Sequence, residues 1–226
     1  FKGTVGVKKN VFQFQDLEGR FAGGRLQVGG GVDLAPGRLP RLDVKVALLD
    51  SRIAVYPFTY AQTRGTVTLK GDRLPYEIGG KVLVSQALSR EKILDRKGGA
   101  SRRVTKFSPE TSGSRARESS WFSLAVQVEA PSGILVKNDL FDAELKAKVD
   151  LVNTVDTPRI LGKAETLRGR LFFKNHAFQL ESGEIEFNSR TVLNPKFDLN
   201  AKAEVKNTRI TLAVSGELDK MKIGLS

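Results

Sequence analysis

Apolar and polar residues alternate one for one through two long stretches of the chain. In KFDLNAKAEV, residues 196–205, Phe197, Leu199, Ala201, Ala203 and Val205 fall on one side of an extended backbone and Lys196, Asp198, Asn200, Lys202 and Glu204 on the other. FDAELKAKVDL, 141–151, repeats the arrangement: Phe141, Ala143, Leu145, Ala147, Val149 and Leu151 oppose Asp142, Glu144, Lys146, Lys148 and Asp150. A period of two marks a strand with one buried face, and both runs exceed the usual strand of about six residues. The same pattern predicts strands around Phe122, Leu124, Val126 and Val128, around Val67 and Leu69, around Ile210, Leu212 and Val214, and around Met221, Ile223 and Leu225. LRGRLFFKNHAFQLESGEIEFNS, 167–189, holds three short bursts: Leu171 and Phe173, then Phe178 and Leu180, then Ile185 and Phe187, punctuated by Gly169, Asn175 and Gly183. The first third reads as shorter strands near Val5, Phe12, Leu26, Val32, Val44 and Val55, separated by Gly and Pro. About a dozen or more strands at such spacing define an all-β sandwich, barrel or extended sheet.

A loose repeat of glycine, any residue, apolar residue runs along the chain, at Gly3, Gly19, Gly65, Gly80, Gly169, Gly183 and Gly216. Its period is irregular, so it is no strict solenoid. Two readings stay open: glycines that bend or bulge a strand so that a sheet can curl, and ordinary turn glycines. Residues 85–119 depart from the strand pattern. SQALSREKILDRK, with Ser85 at a candidate cap and Gly98 and Gly99 past its end, predicts a short helix. The polar, basic stretch after it predicts a mobile loop, cut first by trypsin. The chain thus divides into a first block of sheet, 1–84, an inserted helix and basic loop, 85–119, and a second block of sheet, 120–226.

Candidate chemistry is sparse. With no cysteine, neither a disulfide nor a thiolate metal site can form, which suits an oxidising compartment. No apolar run reaches the length of a membrane-crossing helix, and the opening FKGTVGVKKN starts in mid-strand without a signal pattern, as a piece of a longer chain would. His176 is the only histidine and sits beside Asn175 in an expected solvent-facing turn. The glycines of AGGRLQVGGG lack the strand, loop, helix order of a phosphate cradle and read as turns. Acidic residues fall singly on polar strand faces, so no pair stands out as general acid and base. No catalytic residue, metal ligand or cofactor is predicted, and the chain is not read as an enzyme.

The net charge of +12 raises nucleic acid as a partner. Most of that charge is interleaved with apolar residues, as on a solvated strand face, and the basic loop offers only Phe107 for stacking on a base, so nucleic acid is not expected. Attraction to anionic lipid head groups needs the charge alone. Alternation also builds outer-membrane barrels, but those need aromatic girdles at both interfaces, and one Trp with three Tyr are too few.

The order LRGRLFF, FQLESGEIEFNS, NPKFDLNAKAEV, ITLAVSGELDKMKIGLS resembles the C-terminal domain of the TamB family, the translocation and assembly module. SGILVKNDLFDAELKAKVDLVNTVDTPRILGKAETLRG is similar to the preceding family segment, so the resemblance is close over 134–226 and looser over 1–84. The basic insertion has no counterpart in it. The resemblance implies a long, curled, mainly antiparallel sheet, a β-taco or gutter, with an apolar concave groove. Lining that groove would be Phe122, Leu124, Val126, Val128, Phe141, Ala143, Leu145, Ala147, Val149, Leu171, Phe173, Ile185, Phe187, Phe197, Leu199, Ala201, Ala203, Val205, Ile210, Leu212 and Val214. It further implies a noncatalytic role in passing phospholipid between inner and outer membranes, or else in assembling outer-membrane β-barrel proteins or autotransporters. The implied partners are phospholipid, an outer-membrane TamA-like barrel of the Omp85 type, and the inner membrane through an N-terminal anchor outside this sequence. The implied location is the periplasm of a diderm bacterium or, alternatively, the intermembrane space of a chloroplast envelope.

Overall fold

The computed structural model describes residues 1–55, 58–90, 120–174, 176–188, 194–205, 208–217 and 220–226. Along the chain run β1 (Lys2–Lys8), β2 (Val11–Phe21), β3 (Gly24–Asp33), β4 (Arg41–Val55), β5 (Phe58–Gly71), β6 (Tyr76–Ser89), β7 (Phe122–Lys137), β8 (Phe141–Thr154), β9 (Pro158–Phe173), β10 (His176–Phe187), β11 (Lys196–Val205), β12 (Thr208–Glu217) and β13 (Lys222–Leu225). Short turns with local chemistry join them. Ala22 and Gly23 both adopt positive φ, the geometry a two-residue hairpin needs to match strand twist. Between β7 and β8 the Asn138 carboxamide oxygen accepts the N–H groups of Leu140, at 3.0 Å, and Phe141, at 2.8 Å, closing an Asx turn.

All thirteen strands form one sheet, each hydrogen-bonded to its neighbours in sequence. The pairing is antiparallel throughout except between β6 and β7, which run parallel. The end of β6 and the start of β7 therefore lie at opposite long margins of the sheet. Residues 85–89, expected to begin a helix, instead complete β6, with Ala87 paired to Ala61 and Ile134. Pairing on both sides and a buried Ala87 outweigh the local cap signal. The first block of sheet thus continues to Ser89 and is hydrogen-bonded directly to the second. The rest of the insertion, 91–119, with the expected helix turns and loop, lies outside the described residues.

Most of the long strands are not straight. Register shifts fall near mid-strand, between Leu48 and Ser51 in β4, at Gln62 and Thr63 beside Ser85 of β6, across Pro131–Gly133 in β7, at Leu167 in β9 and at Glu181 in β10. Each shift is a bulge, which bends a strand and adds twist. Lined up across neighbouring strands, they form a crease along which the sheet folds lengthwise. Glycines on the inner face let the strands close up. At Gly65 (φ +151) and Gly80 (φ +133), a Cβ would lie 2.2 Å from the Lys81 carbonyl and 2.1 Å from the Thr66 carbonyl, so no other residue fits without displacing the adjacent strand. The Gly-x-apolar glycines thus sit inside strands, as do Gly29–Gly31 of β3; of AGGRLQVGGG only Ala22 and Gly23 form a turn.

Candidate functional site

The register decides which residues share the inner face, because directly paired residues point to the same side. From Leu199 the line passes to Val214 in β12 and Gly183 in β10, and from Ile185 to Ala164 in β9 and on to Ala147 in β8. It continues through Ala130 or Val128 in β7, Val82 and Ala87 in β6, Gly65 and Ala61 in β5, Leu48 in β4, Leu26 in β3 and Gly19 in β2. Apart from Val205, every expected lining residue falls on this one face, Phe122 and Leu124 through their partners Tyr76 and Ile78. Val205 continues the register at the end of β11, opposite Thr208.

The expected set stopped short. Phe178 and Leu180 face inward and are buried, and the same face extends through Phe12, Phe14, Val28, Val44, Val46, Val67, Leu69 and Ile78. The alternation in RLDVKVALL and GTVTLKG is the signal that reveals Val44, Val46, Val67 and Leu69.

Packing on this face changes along the sheet. Over β8–β12 its side chains are large and touch one another: Leu171, Phe178, Leu180, Phe197, Leu199, Leu212 and Val214 form one buried cluster with Ala143 and Ala201. Leu199 is 1% exposed and Leu212 0%. A side chain on one face of a single sheet loses all contact with solvent only if other side chains cover it, so the inner face is closed upon itself here. Over β4–β7 most of the buried residues are small, Ala61, Ala87 and Ala130 with Ser51, Thr63 and Ser89, beside Tyr76, Val84, Val126 and Ile134 and, from β8, Leu145. Thr63 donates its hydroxyl to the Ser51 carbonyl at 3.1 Å, while the buried Ser51 hydroxyl has no partner among the described residues. Over β1–β3 no large side chain is buried, and Val5, Val7 and Phe21 of this face stand exposed. The apolar face is therefore open at the β1 end and filled at the β12 end.

The outer face is ionic. Glu129 of β7 lies between Lys81 at 2.8 Å and Lys148 at 3.6 Å, and Lys163 of β9 reaches Glu184 at 3.2 Å. Lys146 meets Glu165 at 2.8 Å, and Lys202 meets Glu181 at 2.6 Å. The hydrogen bond from Lys81 holds the Glu129 carboxyl below the usual range, that from Lys146 does the same to Glu165, and Glu184 holds the Lys163 ammonium above its usual range. Glu144 has a structural post. It accepts the Gly133 N–H at 3.0 Å from the bulge of β7 and Arg168 Nε at 2.7 Å from beside the bulge of β9. The Gly133 N–H, then Arg168, pull its carboxyl below the ordinary value. These exposed pairs keep the outer face wet and the strand register unambiguous.

His176, the first residue of β10, is exposed. Among the described residues no group of His, Asp and Glu side chains could hold a metal ion, and no helix is long and apolar enough to cross a membrane.

These features define a class of protein: an open, lengthwise-folded single sheet with a continuous apolar inside and an ionic outside. The family model for the TamB C-terminal domain matches residues 15–226, and the chain belongs to the TamB family, a cell-envelope family named for the translocation and assembly module. The match covers most of the first block of sheet as well as the second. No curated protein matches the chain.

Proposed function

We propose that the chain is a periplasmic conduit in which phospholipid acyl chains ride on the inner face of the folded sheet between inner and outer membranes. One observation carries this reading: a single inner face, apolar over most of its length, passes through all thirteen strands, open over β1–β3 and packed with its own side chains over β8–β12. At about 4.8 Å per strand it extends for about 60 Å, far longer than a pocket for one ligand. An acyl chain with about a dozen methylenes exposed to water is disfavoured by on the order of 10 kcal/mol, and a continuous apolar floor removes that barrier. Lipid on such a floor is about as well off as in a bilayer, so it is held weakly and moves on. The chemistry needs no catalytic group. An outer-membrane barrel of the Omp85 type, TamA-like, would receive the far end, and an anchor outside this sequence would hold the near end in the inner membrane of a diderm envelope.

A second reading, assembly of outer-membrane β-barrel proteins or autotransporters, draws on the edge of the sheet. Among the described residues β13 and Ser226 pair with Thr211–Ser215, and an incoming strand could add to β12 beside Thr208–Ile210. Photo-crosslinking separates the two. A crosslinker placed at Val67 on the inner face should yield phospholipid adducts by mass spectrometry, and one at Thr68 on the outer face should not. Barrel-strand peptides captured at Thr208 or Arg209, with no lipid at Val67, would replace the first reading by the second.

A further inference from the structure

One long margin of the gutter carries a row of exposed apolar side chains on turn tips that hydrogen bonds tie together. Leu34 donates its N–H to the Asn10 carbonyl at 2.8 Å, joining the β3–β4 turn to the β1–β2 turn. The buried Tyr76 donates its hydroxyl to the Pro40 carbonyl at 2.8 Å, drawing the same β3–β4 turn past β5 to the start of β6. The Tyr76 N–H then bonds the Trp121 carbonyl at 2.8 Å, and the Val155 N–H bonds the Phe122 carbonyl at 3.2 Å. Leu34, Leu39, Trp121 and Val155 thereby stand in one row, all exposed, Trp121 at 61%. At the opposite margin Phe1 and Phe21 are exposed.

Charge follows the row. Arg38 is paired with Asp33, but Arg41, Arg73 and Arg159 make no ion pair among the described residues, and the adjoining β1–β2 tip adds Lys8 and Lys9. Asp72 and Asp156 are the unpaired acids there, so cations are in excess. A row of exposed apolar tips with Trp among cations suits a surface that is apolar just beneath an anionic layer. A protein groove would call for a convex patch or a free strand instead.

We propose that this margin docks on the surface of an anionic bilayer, with Leu39, Trp121 and Val155 at the boundary of head groups and acyl chains and the nearby arginines at phosphates. The proposal deepens the groove reading, since a docked margin lets lipid enter the fold from the side, and it rests on that reading only for its purpose.

Trp121 is the only tryptophan, so its emission reports this margin alone. Vesicles of phosphatidylethanolamine with about one third phosphatidylglycerol should shift the emission to the blue. Lipids brominated near the head group should quench it more than lipids brominated near the terminal methyl. A Leu39→Ser, Val155→Ser double variant, which keeps Trp121 and changes only exposed turn residues, should bind vesicles about tenfold less or weaker still at an unchanged melting temperature. Raising salt should weaken binding without abolishing it, since only the cationic share is screened. Unchanged emission with vesicles, or sedimentation with vesicles while Trp121 stays unquenched, would overturn the proposal, as would full binding by the folded double variant. Protein loaded with brominated lipid and free of vesicles supplies the other arm: failure to load, with vesicle docking intact, counts against the groove and leaves the docking margin standing.

Discussion

Gly183 shows how much of the curl depends on one missing methyl group. A Cβ there would lie 2.6 Å from Leu199 Cδ2 and 2.8 Å from Thr166 Cγ2, so side chains from β11 and β9 meet above the glycine of the strand between them. Gly183→Ala should destabilise the fold by about 1–3 kcal/mol through overpacking, and Leu199→Ala by about 2–5 kcal/mol through the cavity it leaves. In the double variant the new methyl occupies part of that cavity, so the two costs should fall short of additive in denaturant melts; strict additivity would mean the side chains do not meet. Glu144 makes a pH prediction. Its carboxyl, like those of Glu129 and Glu165, is held below the ordinary value of about 4.5, so these groups stabilise the fold above that value and lose their contribution as pH falls through the lower folded value. Lys163 is raised, so its contribution is complete below the ordinary lysine value and disappears as pH rises through the folded one. Stability should therefore be level through neutral pH and fall at both ends, and Glu144→Gln should show a shallower acid limb. An acid limb as steep as that of the parent protein would remove Glu144 from its post at the crease. Alternation in the sequence tells which side Leu199 and Val67 face, but not that the first is sealed and the second half open, since that depends on neighbours two strands away.

At the level of the strand, sequence and structure part where a strand bends without ending. The strand expected around Phe122, Leu124, Val126 and Val128 stops short of Pro131 and Gly133, yet β7 runs on to Lys137, and the break is a bulge that Glu144 holds by the Gly133 N–H. Proline is tolerated there because a bulge leaves a backbone N–H without a ladder partner. Ser85 misled in the opposite sense, as a helix cap signal inside a strand, where pairing with β5 and β7 decided the outcome. Strand alternation was thus legible wherever one face is buried, and the crease was not, because a bulge has no side-chain signature of its own. The margins of the sheet follow a separate rule: an unpaired strand edge invites pairing with another chain. β13 is four residues long and exposed, so removing 222–226 should cost little in melting temperature while uncovering Thr211–Ser215 of β12. The truncated protein should form dimers or larger species with rising concentration in size-exclusion chromatography. A truncated protein that stays monomeric at the concentrations where the parent does would show that β13 does not guard this edge.

For the molecule as a whole, the filled end and the open end of the inner face imply different experiments. A charge at Leu212 or Leu199, both fully packed, tests the fold before it tests any passage of lipid, because a buried unpaired charge has no water to turn to. The informative position lies where the floor is half open. Val67 and Thr68 are neighbours in β5 on opposite faces, Val67 beside Val46 and Gly80, Thr68 beside Lys45 and Gly79. Val67→Asp places a carboxylate on the apolar path. Thr68→Asp places the same charge on the half-buried outer face next to Lys45, where it should cost the fold less than on the apolar side. If acyl chains travel on the inner face, the first variant, shown folded by circular dichroism, should carry about tenfold less phospholipid through purification, and the second should match the parent. Equal loading of both would sink the conduit, because a path that tolerates a charge at its floor is not the one the acyl chains use; equal loss in both would mean that the face assigned to lipid is the wrong one.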